Sequence, residues 1–487
     1  MHKIPCPLQT WAGAKPDAPA IVMTTNSISY KELDERVHCC MYHLAANGIK
    51  SDDRVAIVLP TSIDFIAMIW ALYRLGAIAC PINPLIPESR KIEMALDADC
   101  TFWIGVASSF STRVPDKCQF LELEKISMQI KEFPSDSLIT IDRDKACTLV
   151  FTSGSTGRAK GAILSFRNLQ VSALRSNRNL PLLPEDTWLL SLPLYHVSGL
   201  GILFRCIMAG ASIGLLKLDE SIDTALDSMN ITHLSLVAVQ LHRLLTTSGN
   251  ISRLRKLHGI LLGGSAIPPS LLYRAVETAL PVHTTYGLTE MASQVTTTPQ
   301  NAGLMMLRRS GRSLHPESLR IASNGEILVT GETLFLGYLQ GAGIVQSVDA
   351  EGYFHTGDLG YLDEEGYLHV TGRLDNRFIS GGENIQPEEI ESVLSHIPEV
   401  LESVVVPIPH EAFGHRPVAF VRLKKDQKLD LEYINTALAV ELPKFKIPQY
   451  YFPWPPHVYD TNIKISRHWF IKEAQRLLQQ QQTAQQQ

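Results

Sequence analysis

The feature that most constrains the fold of this chain is an alternation of short apolar runs with segments of helical periodicity. Arg54 begins the run RVAIVLP, and TSIDFIAMIWALYRLG follows with a T-x-x-D capping pattern and apolar residues at helical spacing. The runs AIACPIN and CTFWIG then flank a second helical segment, PESRKIEMALDAD. Such alternation predicts βαβ units, with a sheet covered by helices on both faces. We therefore predict one large α/β body over residues 1 to about 370.

The pattern changes in the last third of the chain. GEILVTG at 325–331 and YLDEEGYLHVTGR at 361–373 predict short hairpins, the second with its turn at Asp363–Gly366. From residue 376 onward, two amphipathic helices and two apolar runs predict a small, compact α+β domain. The predicted domains are thus residues 1–374 and 375–475, followed by a Gln-rich tail, 476–487, that we expect to be disordered.

Composition excludes several classes of protein. A hydrophobic content of 45% against 19% charged residues is typical of a folded globular chain. A net charge of -5 without a sustained basic run argues against nucleic acid or an anionic membrane as partner. Eight scattered cysteines without a CxxC pair indicate neither a zinc site nor a disulfide framework, and predict reduced thiols in the cytoplasm. The most apolar window, FIAMIWALY, is too short to insert across a bilayer, and we predict that it forms a buried helix.

The stretch TSGSTGRAK, residues 152–160, follows an apolar run and is rich in glycine and hydroxyl groups. It fails the pattern of kinase-type phosphate loops, because Gly154 and Gly157 are three residues apart and Lys160 precedes a glycine. Its backbone N–H groups, hydroxyls and lysine could nevertheless contact phosphate oxygens. Taken alone, a flexible turn after a strand is the commoner explanation.

Three later segments carry groups that suit a nucleotide. TYGLTEMASQ at 285–294 places Glu290 after a tight turn, and a carboxylate is a ligand that Mg²⁺ prefers. YFHTGDLG puts Asp358 in a glycine-flanked turn, where it could accept hydrogen bonds from both ribose hydroxyls. GRLDNRFISGGENIQPEEIE then supplies Arg373 and a glycine pair before a helix.

Together and in this order, these segments resemble the adenylate-forming superfamily of acyl- and aryl-CoA synthetases, peptide-synthetase adenylation domains and luciferases. The family pattern [ST]SG[ST]TG-x-x-KG covers Thr152 to Gly161, and YGxTE covers Tyr286 to Glu290. TGD covers Thr356 to Asp358, and the longer carboxyl-terminal pattern covers Gly372 to Glu391. The resemblance extends over nearly the whole chain. It implies a large α/β domain with a β-barrel-like subdomain, followed by a small, mobile α+β domain.

The resemblance also implies a reaction and its cofactors. A carboxylate attacks the α-phosphate of ATP in the presence of Mg²⁺, which gives an acyl-adenylate and pyrophosphate. The thiol of CoA then displaces AMP. Because an anion attacks an anion in the first step, the site must supply positive charge and hydrogen-bond donors around the phosphorus.

Site residues follow from the resemblance position by position. The loop that holds the β- and γ-phosphates would comprise Thr152, Ser153, Gly154, Ser155, Thr156, Gly157 and Lys160. Adenine and ribose would contact Gly264, Ser265, Ala266, Tyr286, Gly287, Asp358 and Arg373. Thr289 and Glu290 would serve the α-phosphate and Mg²⁺, Asp375 the hinge, and Gly381 with Gly382 the passage of CoA.

Two positions depart from the family pattern. The catalytic lysine of the small domain maps to Lys464, but Ile463 stands where the family has glycine and Asp460 where it has threonine. An ordinary surface lysine is the alternative there. The second departure is Arg158-Ala159, which replaces the usual Lys-Pro before the retained Lys160.

The acid substrate is suggested by PLYHVSGLGILFRCIMAGA at 193–211. This segment, with LLGGSAI and YGLTEMASQ, resembles the o-succinylbenzoate–CoA ligases of menaquinone biosynthesis. His196 would lie beside the acyl group, and Arg205 or Ser293 could bind a second carboxylate, although an arginine can equally extend from a helix to water. Alternatives are another aryl- or medium-chain acyl-CoA ligase, a carrier-protein-loading enzyme, or an adenylate-binding protein without turnover. The sequence leaves a homodimer open.

Overall fold

The computed structural model describes residues 2–106, 118–126, 138–152, 160–247, 249–315, 318–341, 343–424, 427, 430–455 and 467–485. The chain forms two compact units. The first unit comprises Met1–Gly264, Thr278–Arg320 and Leu328–His355, and the second comprises Ser265–Glu277, Ile321–Ile327 and Thr356–Gln487.

The helices of the described residues, in chain order, are α1 Pro7–Ala14, α2 Tyr30–Ala46, α3 Ile63–Leu75, α4 Glu88–Asp97, α5 Phe166–Asn179, α6 Val197–Ala209, α7 Ile222–Ser228, α8 Ala238–Thr246, α9 Asn250–Leu254, α10 Pro269–Glu277, α11 Leu304–Leu307, α12 Pro387–Ser395, α13 Leu431–Glu441 and α14 Arg467–Gln485. The strands are β1 Lys3–Pro5, β2 Pro19–Val22, β3 Ser27–Ser29, β4 Arg54–Val58, β5 Ile78–Pro81, β6 Phe102–Gly105, β7 Gln119–Glu122, β8 Thr140–Asp142, β9 Ala146–Thr152, β10 Lys160–Ser165, β11 Thr187–Leu189, β12 Ser212–Gly214, β13 His233–Leu236, β14 Gly259–Leu262, β15 Val282–Leu288, β16 Ser293–Thr297, β17 Arg312–Ser313, β18 Leu319–Ile321, β19 Glu326–Val329, β20 Gly337–Gln340, β21 Gly343–Val345, β22 Phe354–Leu362, β23 Leu368–Arg373, β24 Phe378–Ser380, β25 Glu383–Ile385, β26 Val400–His410, β27 Gly414–Leu423 and β28 Tyr450–Pro453.

The first unit contains two large sheets of mixed direction. One has the strand order β21-β20-β10-β9-β5-β4-β6-β7, and the other the order β17-β16-β15-β14-β13-β11-β12-β2-β3. Neighbours from β12 through β11, β13 and β14 to β15 are parallel, so their carboxyl ends share one edge of the sheet. Loops that bind ligands are expected at that edge. The predicted βαβ alternation is therefore present in this unit.

Helix α3 is the predicted buried helix, because every residue from Phe65 to Arg74 is buried. Its amino terminus is capped by Ser62, whose side chain accepts the N–H of Phe65, one residue later than the T-x-x-D pattern predicts. Gly76 ends it in the left-handed conformation, at φ 72°.

Aromatic packing fixes helix α6 against this core. The ring of Trp70 on α3 stacks on Phe204 at 5.7 Å between centroids, and Phe166 at the start of α5 meets Phe204 at 5.2 Å. Phe204 precedes Arg205 in the chain. The packing therefore holds the backbone that carries this arginine.

The second unit contains a sheet of β25-β24-β27-β26, to which β28 adds in parallel. Helices α12 and α13 pack on one apolar cluster, which includes Ile390 and Leu438, and Phe470 of α14 packs on Phe420 at 4.9 Å. The predicted hairpin at Asp363–Gly366 joins β22 to β23. The Gln-rich tail, which we expected to be disordered, is instead helical up to Gln485. Glutamine is a good helix former, so this segment extends the helix that Phe470 anchors.

Candidate active site

The predicted phosphate loop connects two antiparallel strands. Thr152 ends β9 and pairs with Lys160, the first residue of β10, and the Thr152 hydroxyl donates to the Lys160 carbonyl at 3.3 Å. Ser153, Gly154, Ser155, Thr156 and Gly157 lie outside the described residues. The structure thus gives the two ends of the loop, where the exposed Lys160 places its Nζ 5.4 Å from the ring centre of Tyr338.

Glu290 lies in a 3₁₀ turn directly after the carboxyl end of β15 and is only 9% exposed. The hydroxyl of Tyr338 donates to its Oε1 at 2.5 Å, and its backbone carbonyl accepts the N–H of Phe335 at 2.8 Å. This fixed carboxylate fits the chemistry of a hard cation such as Mg²⁺. Thr289 precedes it in the same turn.

Sequence reasoning missed Tyr338. It stands on β20, which pairs with β10 so that Tyr338 lies opposite Ala162. Its contact with Glu290 arises from this strand pairing across 48 residues of sequence. Neither motif spacing nor residue type gave a signal for it.

The glycine of the YGxTE pattern is required by close backbone approach. A Cβ on Gly287 would lie 2.0 Å from the carbonyl oxygen of Ser293, where β15 turns into β16. Beyond the turn, Ala292 and Ser293 have positive φ angles of 52° and 106°. Such values are rare for residues with a Cβ, and strained backbone of this kind is concentrated at functional sites.

Arg205 and Ser293, the two candidates for binding a second carboxylate, lie side by side. The Nη2 of Arg205 is 3.4 Å from the Ser293 hydroxyl and 2.9 Å from Oε1 of Gln294, which sequence reasoning did not single out. Arg205 is 1% exposed, and its guanidinium lies over the Trp188 ring at 5.1 Å. It does not extend from its helix to water.

The charge of Arg205 has no protein counterion in the part of the chain that the structure describes, where no carboxylate oxygen lies within 4.0 Å of it. Its Nε also has no hydrogen-bond partner among those residues. Burial lowers the pKa of Arg205 to about 10, so the side chain still carries its charge at neutral pH. A buried, unpaired cation is costly unless a ligand supplies the anion.

Helix α6 is built to leave room beside this arginine. Gly201 lies one turn before Arg205, and a Cβ there would be 3.2 Å from Nη2 and 3.3 Å from the Ser293 hydroxyl. His196 is the residue before α6, and its ring meets Tyr195 edge to face at 4.8 Å. Both His196 and Arg205 are therefore positioned by the same helix.

The residues predicted to contact adenine belong to different units of the chain. In the first unit, Tyr286 lies on β15 and Gly264 follows β14 with φ 83°. In the second unit, Ser265 and Ala266 are exposed.

Asp358 and Arg373 pair across β22 and β23 of the second unit. The Nη1 of Arg373 donates to Oδ1 of Asp358 at 2.6 Å. Gly357, at φ 70°, leaves room for this arginine, because a Cβ there would lie 3.1 Å from Nη2. The two side chains predicted to hold the ribose therefore form one ion pair.

The remaining predictions concern the second unit. Asp375 lies in an exposed 3₁₀ turn after Arg373, and Gly381 and Gly382 form the turn between β24 and β25 with φ of 59° and 90°. The turn is open on one side, since a Cβ built on Gly382 meets no described atom within 4 Å apart from its chain neighbours. Lys464 lies outside the described residues. The roles of all these site residues remain predictions.

None of the described helices combines the length and the apolar character needed to cross a membrane.

The profile of the family described as "AMP-binding enzyme" matches residues 8–339, and that of the "AMP-binding enzyme C-terminal domain" matches residues 389–455. These matches confirm the predicted combination of a large domain with a small carboxyl-terminal one.

Proteins of this architecture resemble the chain over nearly all of its length. A 2-succinylbenzoate–CoA ligase of Bacillus mycoides is 34% identical over 460 residues, which cover 92% of this chain and 94% of the relative. The structure of o-succinylbenzoate CoA synthetase (MenE) from Bacillus subtilis with the acyl-adenylate intermediate OSB-AMP matches with a TM-score of 0.83 and 28% identity, covering 95% of this chain and 99% of the other. The same Bacillus subtilis enzyme in complex with ATP and magnesium ion matches with a TM-score of 0.83 and 29% identity, covering 93% and 96%. The chain therefore belongs to the AMP-binding enzyme family, as the order of its motifs predicts.

Proposed function

We propose that this protein is an ATP-dependent acid–CoA ligase that converts 2-succinylbenzoate to 2-succinylbenzoyl-CoA. The relatives named above act on this acid, and the chain covers 94% of the first of them. ATP, Mg²⁺ and CoA are the cofactor and co-substrates that this activity needs. A cytoplasmic location and a homodimer stay predictions.

The observation that carries the choice of acid is the buried Arg205 without a protein counterion. The substrate has two carboxylates, of which one must attack ATP while the other stays bound. Arg205, with the Ser293 hydroxyl beside it, offers a charged hydrogen-bond donor to the second carboxylate. An acid with one carboxylate would leave the buried cation unpaired.

In the first half-reaction, a carboxylate oxygen of the acid forms a bond to the α-phosphorus, and pyrophosphate leaves. The repulsion between the two anions is offset by positive charge placed in advance, which is electrostatic catalysis. Lys160 would contribute one such charge near the phosphates. Mg²⁺ would supply further charge, and the Glu290 carboxylate, which the Tyr338 hydroxyl holds in place, would be one of its ligands.

In the second half-reaction, the thiolate of CoA attacks the carbonyl carbon of the acyl-adenylate, and AMP leaves. Asp358 with Arg373 would hold the ribose through both steps. Lys464 would serve the first step only, and rotation about Asp375 would then bring Gly381 and Gly382 to the path of the pantetheine arm.

The test is pyrophosphate release and thioester formation with 2-succinylbenzoate, benzoate and octanoate, each with and without CoA. We expect 2-succinylbenzoate to give the highest kcat/KM and a thioester that depends on CoA. The Lys464→Ala variant controls for contaminating ligases, since it should lose pyrophosphate release.

Other results would contradict the proposal in distinct ways. A preference for octanoate would overturn the assignment of the acid. Pyrophosphate release without a CoA thioester would favour a carrier-protein-loading enzyme, and no release with any acid would favour a binding protein without turnover.

A further inference from the structure

A cluster of potential metal ligands lies in the first unit, away from the residues assigned to catalysis. Asp186, His233 and His258 each offer one ligand atom, and these atoms all lie within 4.8 Å of one another. The Nδ1 of His258 is 2.9 Å from Oδ1 of Asp186. The side chain of Asp186 is 3% exposed and that of His258 is 60% exposed, so one side of the cluster faces water.

The topology of the sheet explains how these residues meet. Asp186 directly precedes β11, His233 begins β13, and His258 directly precedes β14. These three strands are parallel neighbours in the order β14-β13-β11. Their amino ends share one edge, and Glu290 follows the carboxyl end of β15 at the other edge.

Backbone hydrogen bonds hold this edge together. The N–H of His258 donates to the carbonyl of Thr232 at 2.7 Å, and the N–H of Thr232 donates to the carbonyl of Thr187 at 2.9 Å. Oδ2 of Asp186 accepts the N–H of Leu183 at 2.8 Å, which leaves Oδ1 facing His258. The carboxylate and the backbone beside both histidines are therefore fixed before any ligand arrives.

Thr232 gives one ring nitrogen of His233 a fixed neighbour. The Thr232 hydroxyl lies 3.1 Å from the carbonyl of Thr187, which can accept its single hydrogen, and 2.9 Å from Nδ1 of His233. The buried Nε2 of His233 has no hydrogen-bond partner among the described residues. In the tautomer in which Nδ1–H donates to Thr232, Nε2 carries the lone pair, which is the arrangement usual for a metal-binding histidine.

We propose that Asp186, His233 and His258 bind one divalent transition-metal ion, with zinc as the best match. Two imidazoles and one carboxylate suit zinc, whereas Mg²⁺ prefers oxygen ligands alone. Tetrahedral coordination of zinc needs ligand atoms about 3.3 Å apart. The exposed side chain of His258 can move to lengthen its present distance of 2.9 Å from Oδ1 of Asp186 to that value. The ion would join the amino ends of three strands.

This site would also contact the acid-binding region through one side chain. The ring of Trp188 stacks on His233 at 4.9 Å, and the same ring underlies the Arg205 guanidinium at 5.1 Å. A bound ion would fix the His233 ring and thereby restrict Trp188. The site is structural in this proposal, because no group of the cluster touches the reacting atoms.

The experiment is a zinc titration of the full-length chain after removal of any histidine tag and treatment with a chelator. Excess Mg²⁺ is present throughout so that the predicted Glu290 site does not take up zinc. We expect about one zinc ion per chain and a higher thermal unfolding midpoint with zinc than without it. His258→Ala and Asp186→Asn should each weaken zinc binding at least about tenfold, because each removes one of three protein ligands.

The matched control is His2→Ala. His2 is also exposed and also pairs with an aspartate, Asp144, but among the described residues no second histidine completes a metal cluster with it. The His2→Ala variant should bind zinc as the unchanged protein does. His258→Cys should bind zinc more tightly than His258→Ala, because a thiolate also ligates zinc. The proposal is overturned if the unchanged protein takes up no zinc, or if His258→Ala binds it with unaltered affinity.

Discussion

At the scale of single residues, two buried arginines differ in their partners. Arg74 on α3 pairs with Asp34 and also donates to Cys6. Arg205 on α6 contacts only uncharged groups among the described residues, namely Ser293, Gln294 and the Trp188 ring. Removing one partner of a buried ion pair destabilises a protein because it leaves an uncompensated charge, whereas a buried charge that is already unpaired costs stability and is explained by a ligand.

The first prediction concerns this contrast. Arg205→Met should raise KM for 2-succinylbenzoate at least about tenfold, because it removes a charge-assisted hydrogen bond to the second carboxylate. The same change should leave the free energy of unfolding equal or higher, because an unpaired cation leaves the core. Pyrophosphate release against acid concentration and urea unfolding measure the two effects.

Arg74→Met is the matched control for this prediction. It leaves Asp34 without its cation and should lower the free energy of unfolding by about 3 kcal/mol, with KM for the acid unaltered. If Arg205→Met instead destabilises the protein as much as Arg74→Met and keeps KM, then Arg205 has a structural role and the assignment of the acid loses its main support.

At the scale of elements, helix α6 combines a packing role with a binding role. Its aromatic side packs on α3 and α5 through Phe204, and its glycine at position 201 leaves space beside Arg205. A glycine in a helix interior costs about 0.5 to 1 kcal/mol relative to alanine. Helix α6 is therefore less stable than it would be with alanine at position 201, where the acid is proposed to bind.

The second prediction tests this division of roles. In Gly201→Ala the added Cβ would lie 3.2 Å from Nη2 of Arg205, so the guanidinium must shift by a few tenths of an ångström. We expect KM for 2-succinylbenzoate to rise several-fold while the free energy of unfolding stays equal or increases. Steady-state kinetics and urea unfolding of the same preparation give both values.

Gly13→Ala provides the comparison, since a Cβ built at this position of α1 meets no atom within 4 Å apart from its chain neighbours and the backbone of its own helix. It should show the gain in helix stability without any change in KM. Equal KM values for Gly201→Ala and the unchanged protein would mean that the acid does not bind beside this glycine.

At the scale of the whole molecule, the alternation of strands and helices was predictable because periodicity is a local property of the sequence. The buried helix α3 and the hairpin at Asp363–Gly366 follow from their own residues. Motif order predicted the family, and the resemblance of residues 193–211 and 285–294 to a particular group of ligases put forward Arg205 and Ser293 as candidates for binding a second carboxylate.

Features that depend on strand order were not predictable from one sequence. Tyr338 reaches Glu290 because β20 pairs with β10, and Asp186, His233 and His258 meet because β11, β13 and β14 are neighbours. The second unit likewise includes Ser265–Glu277, a segment far from residue 356 in the chain. Such contacts are set by tertiary packing, for which local patterns carry no signal.

The last prediction concerns the pH dependence of stability. Burial lowers the pKa of His283 on β15 below the ordinary 6.5, and its Nδ1–H donates to the carbonyl of Thr298 at 3.0 Å. Between pH 6.5 and the lower native pKa, the unfolded chain binds a proton that the native state does not. The free energy of unfolding must therefore fall as the pH is lowered through this window, and be fully regained above pH 6.5.

In His283→Asn the amide can still donate to Thr298 but does not titrate, so the decline in stability between pH 6.5 and pH 5 should become shallower. His396→Asn, which changes an exposed histidine of the second unit, should leave the decline unaltered. Because the two units can unfold in separate transitions, hydrogen exchange of the peptide that contains β15, followed in urea at each pH, is the suitable measurement. An equally steep decline in His283→Asn would show that other groups in the first unit take up the protons on unfolding.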